Sequence, residues 1–336
     1  MTKSKIYLGI DGGATKMMAQ SIQISDQSKL ASYNAFNYEI SYEQMPGWNN
    51  NFQPLHISIQ KELKQSKDLK ISLNEKQQGK IIIDTVQTCY RQALKKNQKI
   101  SGVGLCFPGL KNDDEDGTIL LVNGPRIPDF VDQLKKKNIP INQIYNDSVC
   151  CLIGEIKGLS GSLRDISNGI YIGGGTGIAD GLIINGKIAD FNKDNNLKRS
   201  WELTLPTGNS VESSLAPKYL INNFNRMKNY DPITSLEELI ILAEKGNQSA
   251  DRLLTQAVEA IRILVINRVK YIGKKTNKNC QKIVIGQRLA IALSLQNGKN
   301  TFMKKIHSSL NHNIPITLSK DRRTAALGAA WKKACS

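Results

Sequence analysis

Short apolar stretches rich in β-branched residues alternate along the chain with longer amphipathic stretches. The short stretches have the length and composition of buried strands, whereas the longer ones repeat apolar residues at helical spacing. They predict strands at Ile6–Ile10, Lys99–Cys106, Gly169–Ile172, Gly181–Ile184 and Lys282–Ile285, and helices at Gly79–Lys96, Ser148–Lys157, Leu236–Glu244, Ala250–Ile272 and Ala325–Lys333. This alternation is typical of an α/β protein rather than of a sandwich or a helical bundle.

Two local features refine this outline. The dipeptide Asn185-Gly186 separates two apolar pairs and predicts a two-residue hairpin turn. The segment from Asn34 to Glu75 is polar and rich in Asn, Gln and Lys, so we expect an insertion or a long irregular connection there, to which the sequence assigns no function. At roughly 150 residues per domain, a chain of 336 residues is long enough for about two domains.

Composition and charge exclude several classes of function. The net charge is +17, but the lysines are dispersed and lie beside Asn or Gln, which favours a solvated surface over a nucleic-acid face. The six cysteines form no CxxC pair and indicate buried free thiols, and the three histidines support neither a catalytic triad nor a metal site. No stretch approaches the ~20 apolar residues of a membrane span and no signal-peptide pattern is present, so we expect a cytoplasmic protein.

Two glycine-rich loops follow apolar strands, one in each half of the chain. The first runs from Asp11 through Gly12, Gly13, Ala14 and Thr15 to Lys16, and the second contains Gly175, Thr176 and Gly177. Glycines allow main-chain N–H groups to face a phosphate, Thr and Lys add donors, and an Asp can hold hydrated magnesium. Neither loop fits GxxxxGK[ST] or GxGxxG, and each alone is also compatible with an ordinary hairpin. Together they predict a polyphosphate ligand held across an interdomain cleft.

The pair Asn146-Asp147 follows an apolar stretch and precedes a predicted helix. A carboxylate at such a strand-to-helix turn can orient an acceptor hydroxyl and accept its proton during phosphoryl transfer. The alternative is structural, because Asp is a favoured residue at a helix N-cap. Asp147 is therefore the candidate catalytic base.

These motifs, taken with the carboxy-terminal run Ala326–Ala330, resemble the actin-like ATPase superfamily and more narrowly the ROK (repressor, open reading frame, kinase) sugar kinases. That family has a DxGGTK-like loop, an ND pair, a GTGxGxGxxxNGK-like loop, an IVxGG-like adenosine turn and an ALGAA-like helix. The counterparts here occur in the same order, at Asp11–Lys16, Asn146-Asp147, Gly175–Lys187, Ile283–Gln287 and Ala326–Ala330. The resemblance implies an α/β, two-domain actin-like ATPase (ribonuclease H-like) fold with a central cleft. The expected domains are residues 1–146 with 320–336, and residues 147–319.

The resemblance also implies an activity, which is transfer of the γ-phosphoryl group of MgATP to a hydroxyl of a hexose or N-acetylhexosamine, as in a glucokinase. The implied site has Asp147 as base, Asp11 near magnesium through water, nucleotide contacts at Gly12, Gly13, Thr15, Lys16, Gly175, Thr176, Gly177 and Gly286, and sugar contacts at Asn123, Asn146, Glu202 and Glu212. A small-molecule sugar is the expected partner. Nucleic acid and membrane are not expected, and a homodimer is left open.

The chain departs from the family pattern at two places. Leu205 stands where the family has a His that binds sugar and zinc, and the zinc-binding cysteines are absent, so we expect no structural zinc. An apolar side chain cannot replace the imidazole hydrogen bond to a sugar hydroxyl, which changes the expected sugar pocket. The turn Gly286-Gln287-Arg288 lacks the successive glycines under the adenine, and Arg288 is a candidate for stacking on the base or contacting phosphate.

Two other functions remain open at this stage. One is a degenerate ROK-like protein that binds sugar or nucleotide without turnover. The other is an ATPase activator resembling the benzoyl-CoA reductase activase group, suggested by Asp11-Gly12-Gly13-Ala14, although such activators hold an iron–sulfur cluster and the cysteines here are scattered. ROK repressors carry an additional amino-terminal helix-turn-helix domain. The first predicted strand begins at Ile6, so we do not expect a DNA-binding repressor.

Overall fold

The computed structural model describes residues 5–66, 69–96, 99–191, 193–194, 196–227, 230–298, 300–310 and 314–336. Its strands are β1 (Ile6–Gly12), β2 (Lys16–Ile24), β3 (Ala31–Ser41), β4 (Ile100–Phe107), β5 (Leu110–Lys111), β6 (Thr118–Leu120), β7 (Ile144–Asn146), β8 (Gly169–Gly174), β9 (Ile178–Ile184), β10 (Lys187–Ile188), β11 (Lys282–Gly286) and β12 (Ile316–Leu318). Its α-helices are α1 (Ile57–Gln65), α2 (Leu73–Lys95), α3 (Phe130–Lys136), α4 (Asp147–Lys157), α5 (Val211–Leu215), α6 (Pro217–Asn225), α7 (Leu236–Glu244), α8 (Gln248–Thr276), α9 (Gln287–Leu293), α10 (Thr301–Ser309) and α11 (Thr324–Cys335). The chain divides into two compact units, Met1–Gly161 with Arg323–Ser336, and Ser162–Arg322.

The main sheet of the first unit has the strand order β3-β2-β1-β4-β7. Strand β1 is antiparallel to β2 but parallel to β4, which in turn runs parallel to β7. The register places Asp11 beside Cys106, and Phe107 beside Asn146. Because the carboxyl ends of parallel strands meet at the same edge of a sheet, Asp11 and the start of α4 lie at one edge.

The second unit repeats this arrangement, with the strand order β10-β9-β8-β11-β12. Strands β8 and β9 form an antiparallel hairpin, and β8, β11 and β12 are parallel. Each unit therefore begins its sheet with a glycine-rich hairpin next to parallel strands. The same edge in the second unit carries the second glycine-rich loop and the turn after β11.

Each unit has its own apolar core. In the first unit α2 packs on β1, β2 and β3, and its Ile82 and Val86 join Leu8 and Ile10 of β1 in one buried cluster. In the second unit α5, α7 and α10 pack around the long helix α8, whose Ile261 lies in the core. Full burial of an apolar side chain of this size contributes about 1.5–3 kcal/mol, so these two clusters are the main stabilising contribution in each unit.

The carboxy-terminal helix α11 returns to the first unit and lies on β1, β4 and α4. Glycines make this contact possible, because a Cβ atom at any of four positions would overlap main-chain atoms across it. The pairs are Gly9 with Ala326, Gly104 with Ala329, Gly154 with Thr324, and Gly328 with Cys150. The helix therefore approaches the sheet and α4 at main-chain distance.

Most predicted elements are confirmed, with bounds that shift by a few residues. The predicted hairpin turn is also confirmed, since Asn185 and Gly186 have φ values of 48° and 76°. The expected boundary after residue 146 lies before α4, yet α4 belongs to the first unit because it packs against α11. Five cysteines are buried as expected, whereas Cys335, the last residue of α11, is exposed.

The prediction of an irregular connection from Asn34 to Glu75 is wrong for much of that segment. Residues up to Ser41 belong to β3, residues 57–65 form α1, and α2 begins at Leu73. Strand β3 buries Ala31, Phe36 and Ile40 among mostly polar neighbours, which is a weak signal of a strand. Helix α2 begins earlier than predicted because Ser72 caps it, accepting a hydrogen bond from Glu75 N at 3.1 Å.

None of the helices in the described part of the chain combines the length and the apolar composition that crossing a membrane requires.

Replacing Gly328 by Ala tests the main-chain contact of α11. The added Cβ would overlap the carbonyl of Cys150, which cannot move away as a flexible side chain could, so we expect a loss of about 3 kcal/mol or more in unfolding free energy. Gly273→Ala is the matched control, since Gly273 lies inside α8 and its added Cβ would meet no described atom within 4 Å. Thermal unfolding should show the control unchanged or stabilised by up to about 1 kcal/mol. Equal stability of the two variants would contradict this packing.

Candidate active site

Asp11 lies at the end of β1, where its carboxylate meets other polar groups. Its Oδ1 accepts a hydrogen bond from Cys106 Sγ at 3.5 Å. Burial, together with the neighbouring charge of Asp147, raises the pKa of Asp11 to about 7. The structure thus brings Asp11 and Asp147 into one electrostatic cluster, as the phosphoryl-transfer interpretation requires.

Asn146 and Asp147 have different roles at the start of α4. Asn146 is the N-cap, because its Oδ1 accepts hydrogen bonds from Ser148 N at 3.0 Å and Val149 N at 3.3 Å. Asp147 is the first residue of the helix, and its Oδ1 accepts from Ser148 N at 2.9 Å. The capping alternative therefore applies to Asn146 rather than to Asp147. The side-chain oxygen of Asn146, a predicted sugar contact, is therefore used in the helix cap.

Lys111 is a site residue that the sequence analysis did not identify. Its Nζ donates to three successive carbonyls, Phe107 O at 2.8 Å and Pro108 O and Gly109 O at 3.0 Å each. Burial lowers the pKa of Lys111 to about 8, whereas the charge of Asp147 opposes that shift. Burial likewise raises the pKa of Asp147, and Lys111 opposes this rise. A fixed cation therefore lies within electrostatic range of the candidate base, and no sequence motif signals it.

The first glycine-rich loop is braced by residues that follow β3. Tyr42 donates from its hydroxyl to Gly13 O at 2.9 Å and from its main chain to Thr15 O at 3.0 Å. Thr15 is exposed, whereas Lys16 forms an ion pair with Glu39 at 2.8 Å. The predicted phosphate donor Lys16 is therefore paired with a carboxylate in this structure.

Gly12 leaves room for a neighbouring aromatic ring. A Cβ atom there would lie 2.6 Å from the ring of Phe107, which is buried. The glycine therefore allows the Phe107 ring at the end of β4 to pack against the end of β1. The tight turn continues with Gly13, whose N donates to Lys16 O at 2.9 Å.

The predicted sugar contact Asn123 lies in the turn after β6 and is partly buried. Within the described part of the chain its side chain makes no hydrogen bond, unlike those of Asn146 and Lys16. Its amide can therefore both donate to and accept from a ligand hydroxyl.

The second glycine-rich loop joins β8 and β9 in the second unit. Gly175 N donates to Gly177 O at 3.0 Å, and Lys218 N donates to Gly175 O at 3.3 Å. Glu212 supports the same loop, since its Oε2 accepts from Ile178 N at 3.4 Å and from Ser200 Oγ at 3.3 Å. The predicted sugar contact Glu212 is thus buried against the end of the second glycine-rich loop.

The segment around Glu202 contributes an apolar residue to the core of the second unit. Leu205, the counterpart of the family His, is buried in the apolar core of the second unit. Glu202 is partly exposed and its Oε2 accepts from Arg199 N at 2.9 Å. The structure therefore leaves Glu202 as the more accessible of the two predicted carboxylates, while Leu205 contributes to the core instead of to a polar site.

The turn after β11 has a strained backbone at Gln287, where the family pattern has a glycine. Gln287 has φ 60°, a left-handed conformation that glycine adopts without cost and other residues adopt rarely. A Cβ at Gly175 would lie 3.6 Å from Gln287 Oε1, so the glutamine lies beside the second loop. Gly286 packs against the ring of Tyr171, and Arg288 is exposed. A non-glycine residue therefore adopts the left-handed conformation at this turn.

A buried ion pair fixes β9 behind the second loop. Arg268 Nε on α8 donates to Asp180 Oδ2 at 2.7 Å, and both side chains are almost completely buried. Arg268 Nη2 also donates to Lys198 O at 2.6 Å, shortly before the residues that carry Glu202. Because the two partners lie far apart in the sequence, no local pattern predicts this pair.

The described residues contain no group of three or more His, Cys, Asp or Glu side chains arranged to hold a metal ion. Magnesium needs less from the protein, since it usually retains waters and takes one or two carboxylates together with substrate phosphates. The buried carboxylate of Asp11 beside the charge of Asp147 fits that requirement, because a cation would relieve their mutual repulsion.

A sequence profile of the ROK family matches residues 56–190. A search of curated proteins finds no match. Among solved structures, a ROK family glucokinase from Streptomyces griseus in complex with glucose and AMPPNP is 12% identical, with a TM-score of 0.66 over 98% of this chain and 100% of that chain. A ROK hexokinase from Thermus thermophilus is 15% identical, with a TM-score of 0.61 over 98% of each chain. A ROK family transcriptional regulator, a homolog of the E. coli MLC protein, is 14% identical, with a TM-score of 0.58 over 98% of this chain and 78% of that chain.

At these identities the structural likeness shows the fold, which is the two-domain actin-like ATPase fold that the motifs predict. The sequence match includes two of the motifs, Asn146-Asp147 and Gly175–Lys187. The resemblance to the ROK family is therefore confirmed over residues 56–190.

Proposed function

We propose that this protein is an ATP-dependent sugar kinase, which transfers the γ-phosphoryl group of MgATP to a hydroxyl of a hexose or N-acetylhexosamine. The observation that carries the proposal is the position of Asp147 at the start of α4, where Asn146 supplies the helix cap. The carboxylate of Asp147 is therefore not needed as the cap, and it interacts electrostatically with Asp11 and Lys111. The similarity to ROK kinases in sequence and fold supports the same activity.

In the proposed reaction Asp147 accepts the proton of the sugar hydroxyl as the hydroxyl oxygen attacks the γ-phosphorus. The bond between the γ-phosphorus and the bridging oxygen breaks, and ADP leaves with the electron pair of that bond. Burial raises the pKa of Asp147, which makes its carboxylate a stronger base than an exposed aspartate. Lys111 limits that rise, because its positive charge favours the ionised form of the base.

The remaining roles follow the described geometry of each unit. In the first unit we assign Asp11 to magnesium through water, Gly13 and Thr15 to phosphate, and Asn123 to the sugar. In the second unit we assign the main chain of Gly175, Thr176 and Gly177 to phosphate, Gly286 to the adenosine turn, and Glu202 to the sugar. Bound magnesium would supply neutralisation of the phosphate charge. We propose that no structural zinc is bound, since Leu205 packs in the core. The proposal includes a cytoplasmic location, where ATP is the available co-substrate.

A second candidate is a protein that binds sugar or nucleotide without turnover. Three observations favour it: Lys16 is paired with Glu39, Asn146 is committed to the helix cap, and Leu205 is buried in the core. Each removes one polar group from the set that the family resemblance implies. The two candidates differ in whether Asp147 is required for chemistry.

Replacing Asp147 by Asn separates a catalytic from a structural aspartate. The amide keeps the size of the side chain and its acceptor oxygen for Ser148 N, so folding and MgATP binding should be retained. Sugar-dependent ATP consumption should fall by on the order of 10²-fold or more, the scale for loss of a positioned general base. Steady-state kinetics with calorimetric titration of MgATP measures both effects. A comparable turnover rate in the variant would exclude Asp147 as the base.

Replacing Lys111 by Met tests the electrostatic role of the buried ammonium group. Lys111 holds the pKa of Asp147 down, so its removal should raise that pKa. Kinase activity is lost as pH falls through the pKa of the base, and the acidic limb of the kcat/KM profile should therefore move to higher pH. The other ionisable residues near this cluster are present in both the wild type and the variant. They are Asp11, Lys16, Glu39, Cys106, Glu115 and Cys150.

The control is Lys111→Arg, which keeps the positive charge and should keep the acidic limb close to its wild-type position. Thermal unfolding of both variants separates the loss of three carbonyl hydrogen bonds from the change in pH profile. An acidic limb that stays in place in Lys111→Met would show that Lys111 has only a structural role.

A further inference from the structure

The turn that carries Asn123 is held at both ends by buried polar side chains. We call residues Leu121–Arg126 the Asn123 loop. It follows β6, and its first and last residues bind side chains from α1 and from the start of α2. Those elements belong to the polar segment to which the sequence analysis assigns no function.

Gln60 of α1 holds the first end of the loop. Its side chain is completely buried, its Oε1 accepts from Leu121 N at 2.8 Å, and its Nε2 donates to Leu121 O at 2.9 Å. The amide thus satisfies both main-chain groups of Leu121, as a neighbouring strand would. Nε2 also donates to Leu55 O at 2.5 Å, which ties the residues before α1 to the same point.

Glu75 of α2 holds the other end of the loop. Its two carboxylate oxygens accept from Nε and Nη2 of Arg126, at 2.8 Å each, and Oε1 also accepts from Arg126 N at 3.2 Å. The exposed fractions of the two side chains are only 1% for Arg126 and 5% for Glu75, so water screens this ion pair very little. The Arg126 guanidinium also donates to Lys70 O at 2.9 Å.

Buried polar groups of this kind contribute little net stability compared with apolar residues of the same volume, but they fix one geometry. Here they fix a loop of six residues whose centre is Asn123, while the Asn123 side chain itself makes no hydrogen bond in the described part of the chain. We propose that Gln60 and Glu75 are positioning residues, which hold the Asn123 loop so that the Asn123 amide meets a sugar hydroxyl. This inference rests on the proposed sugar kinase activity. It gives the segment from Asn34 to Glu75 a role in sugar affinity.

Gln60→Met tests the inference, because Met has a similar length but cannot bind either main-chain group of Leu121. The matched control is Gln20→Met, since Gln20 of β2 is equally buried and its Nε2 donates to the carbonyls of Ser21, Asn34 and Phe36 at 2.7–3.0 Å. Both variants should lose thermal stability. Only Gln60→Met should raise the KM for the sugar, by about tenfold for a displaced hydrogen-bonding amide, with the KM for MgATP unchanged.

A double-mutant cycle shows whether the effect passes through Asn123. Asn123→Ala should itself raise the KM for the sugar, and adding Gln60→Met should then raise it little further. Full additivity of the two effects would overturn the inference, as would an equal KM for the sugar in Gln60→Met and Gln20→Met.

Hydrogen exchange keeps this test separate from the proposed function. In full-length Gln60→Met the amides of residues 121–126 should exchange faster than in wild type, whereas Gln20→Met should leave them unchanged. Absence of sugar turnover in the wild-type protein would remove the proposed function and with it the link to sugar affinity. Unchanged exchange at residues 121–126 would remove the positioning role itself, whatever the activity.

Discussion

The main-chain contact of α11 with β1, β4 and α4 is the constraint on which the rest of the first unit depends. Glycines on both sides of the contact let the helix approach the sheet at a distance that no Cβ atom would allow. The contact fixes α4 against the sheet, and α4 begins at Asp147. It also fixes the end of β1, because Cys106 Sγ donates to Asp11 Oδ1 and lies against Ala325 O of α11. The small residues of α11 thus help to place the carboxylates of Asp11 and Asp147 near each other.

Bringing two carboxylates together at a partly buried sheet edge is electrostatically unfavourable, and the surrounding residues reduce this repulsion. Burial raises the pKa of both Asp11 and Asp147, and the charge of Asp147 also opposes ionisation of Asp11. Lys111 offsets part of this repulsion with an ammonium group that three carbonyls hold in place. Bound magnesium would offset more of it. Carboxylates whose charges repel each other are suited to hold a cation between them.

Sequence reasoning found the parts of this architecture that local chemistry determines. The glycine-rich hairpins, the Asn-Asp pair and the small-residue helix are short, ordered motifs, and the strands that carry them have strong apolar patterns. It missed β3 and α1, whose sequences are polar and bury few side chains. It also missed Lys111 and the pairs Gln60–Leu121 and Asp180–Arg268, because each depends on contacts that only the tertiary fold creates. The division of roles between Asn146 and Asp147 likewise required the geometry of the helix start.

The proposed function is phosphoryl transfer to a sugar rather than ligand binding alone. The most direct measurement incubates the wild-type protein with MgATP and each of glucose, mannose, N-acetylglucosamine and N-acetylmannosamine, and follows ADP release together with mass spectrometry of the sugar. We expect ADP release that depends on one or more of these sugars and an equal amount of the corresponding sugar monophosphate. Binding of MgATP without any sugar phosphate in the panel would contradict it and would favour the non-catalytic binding protein.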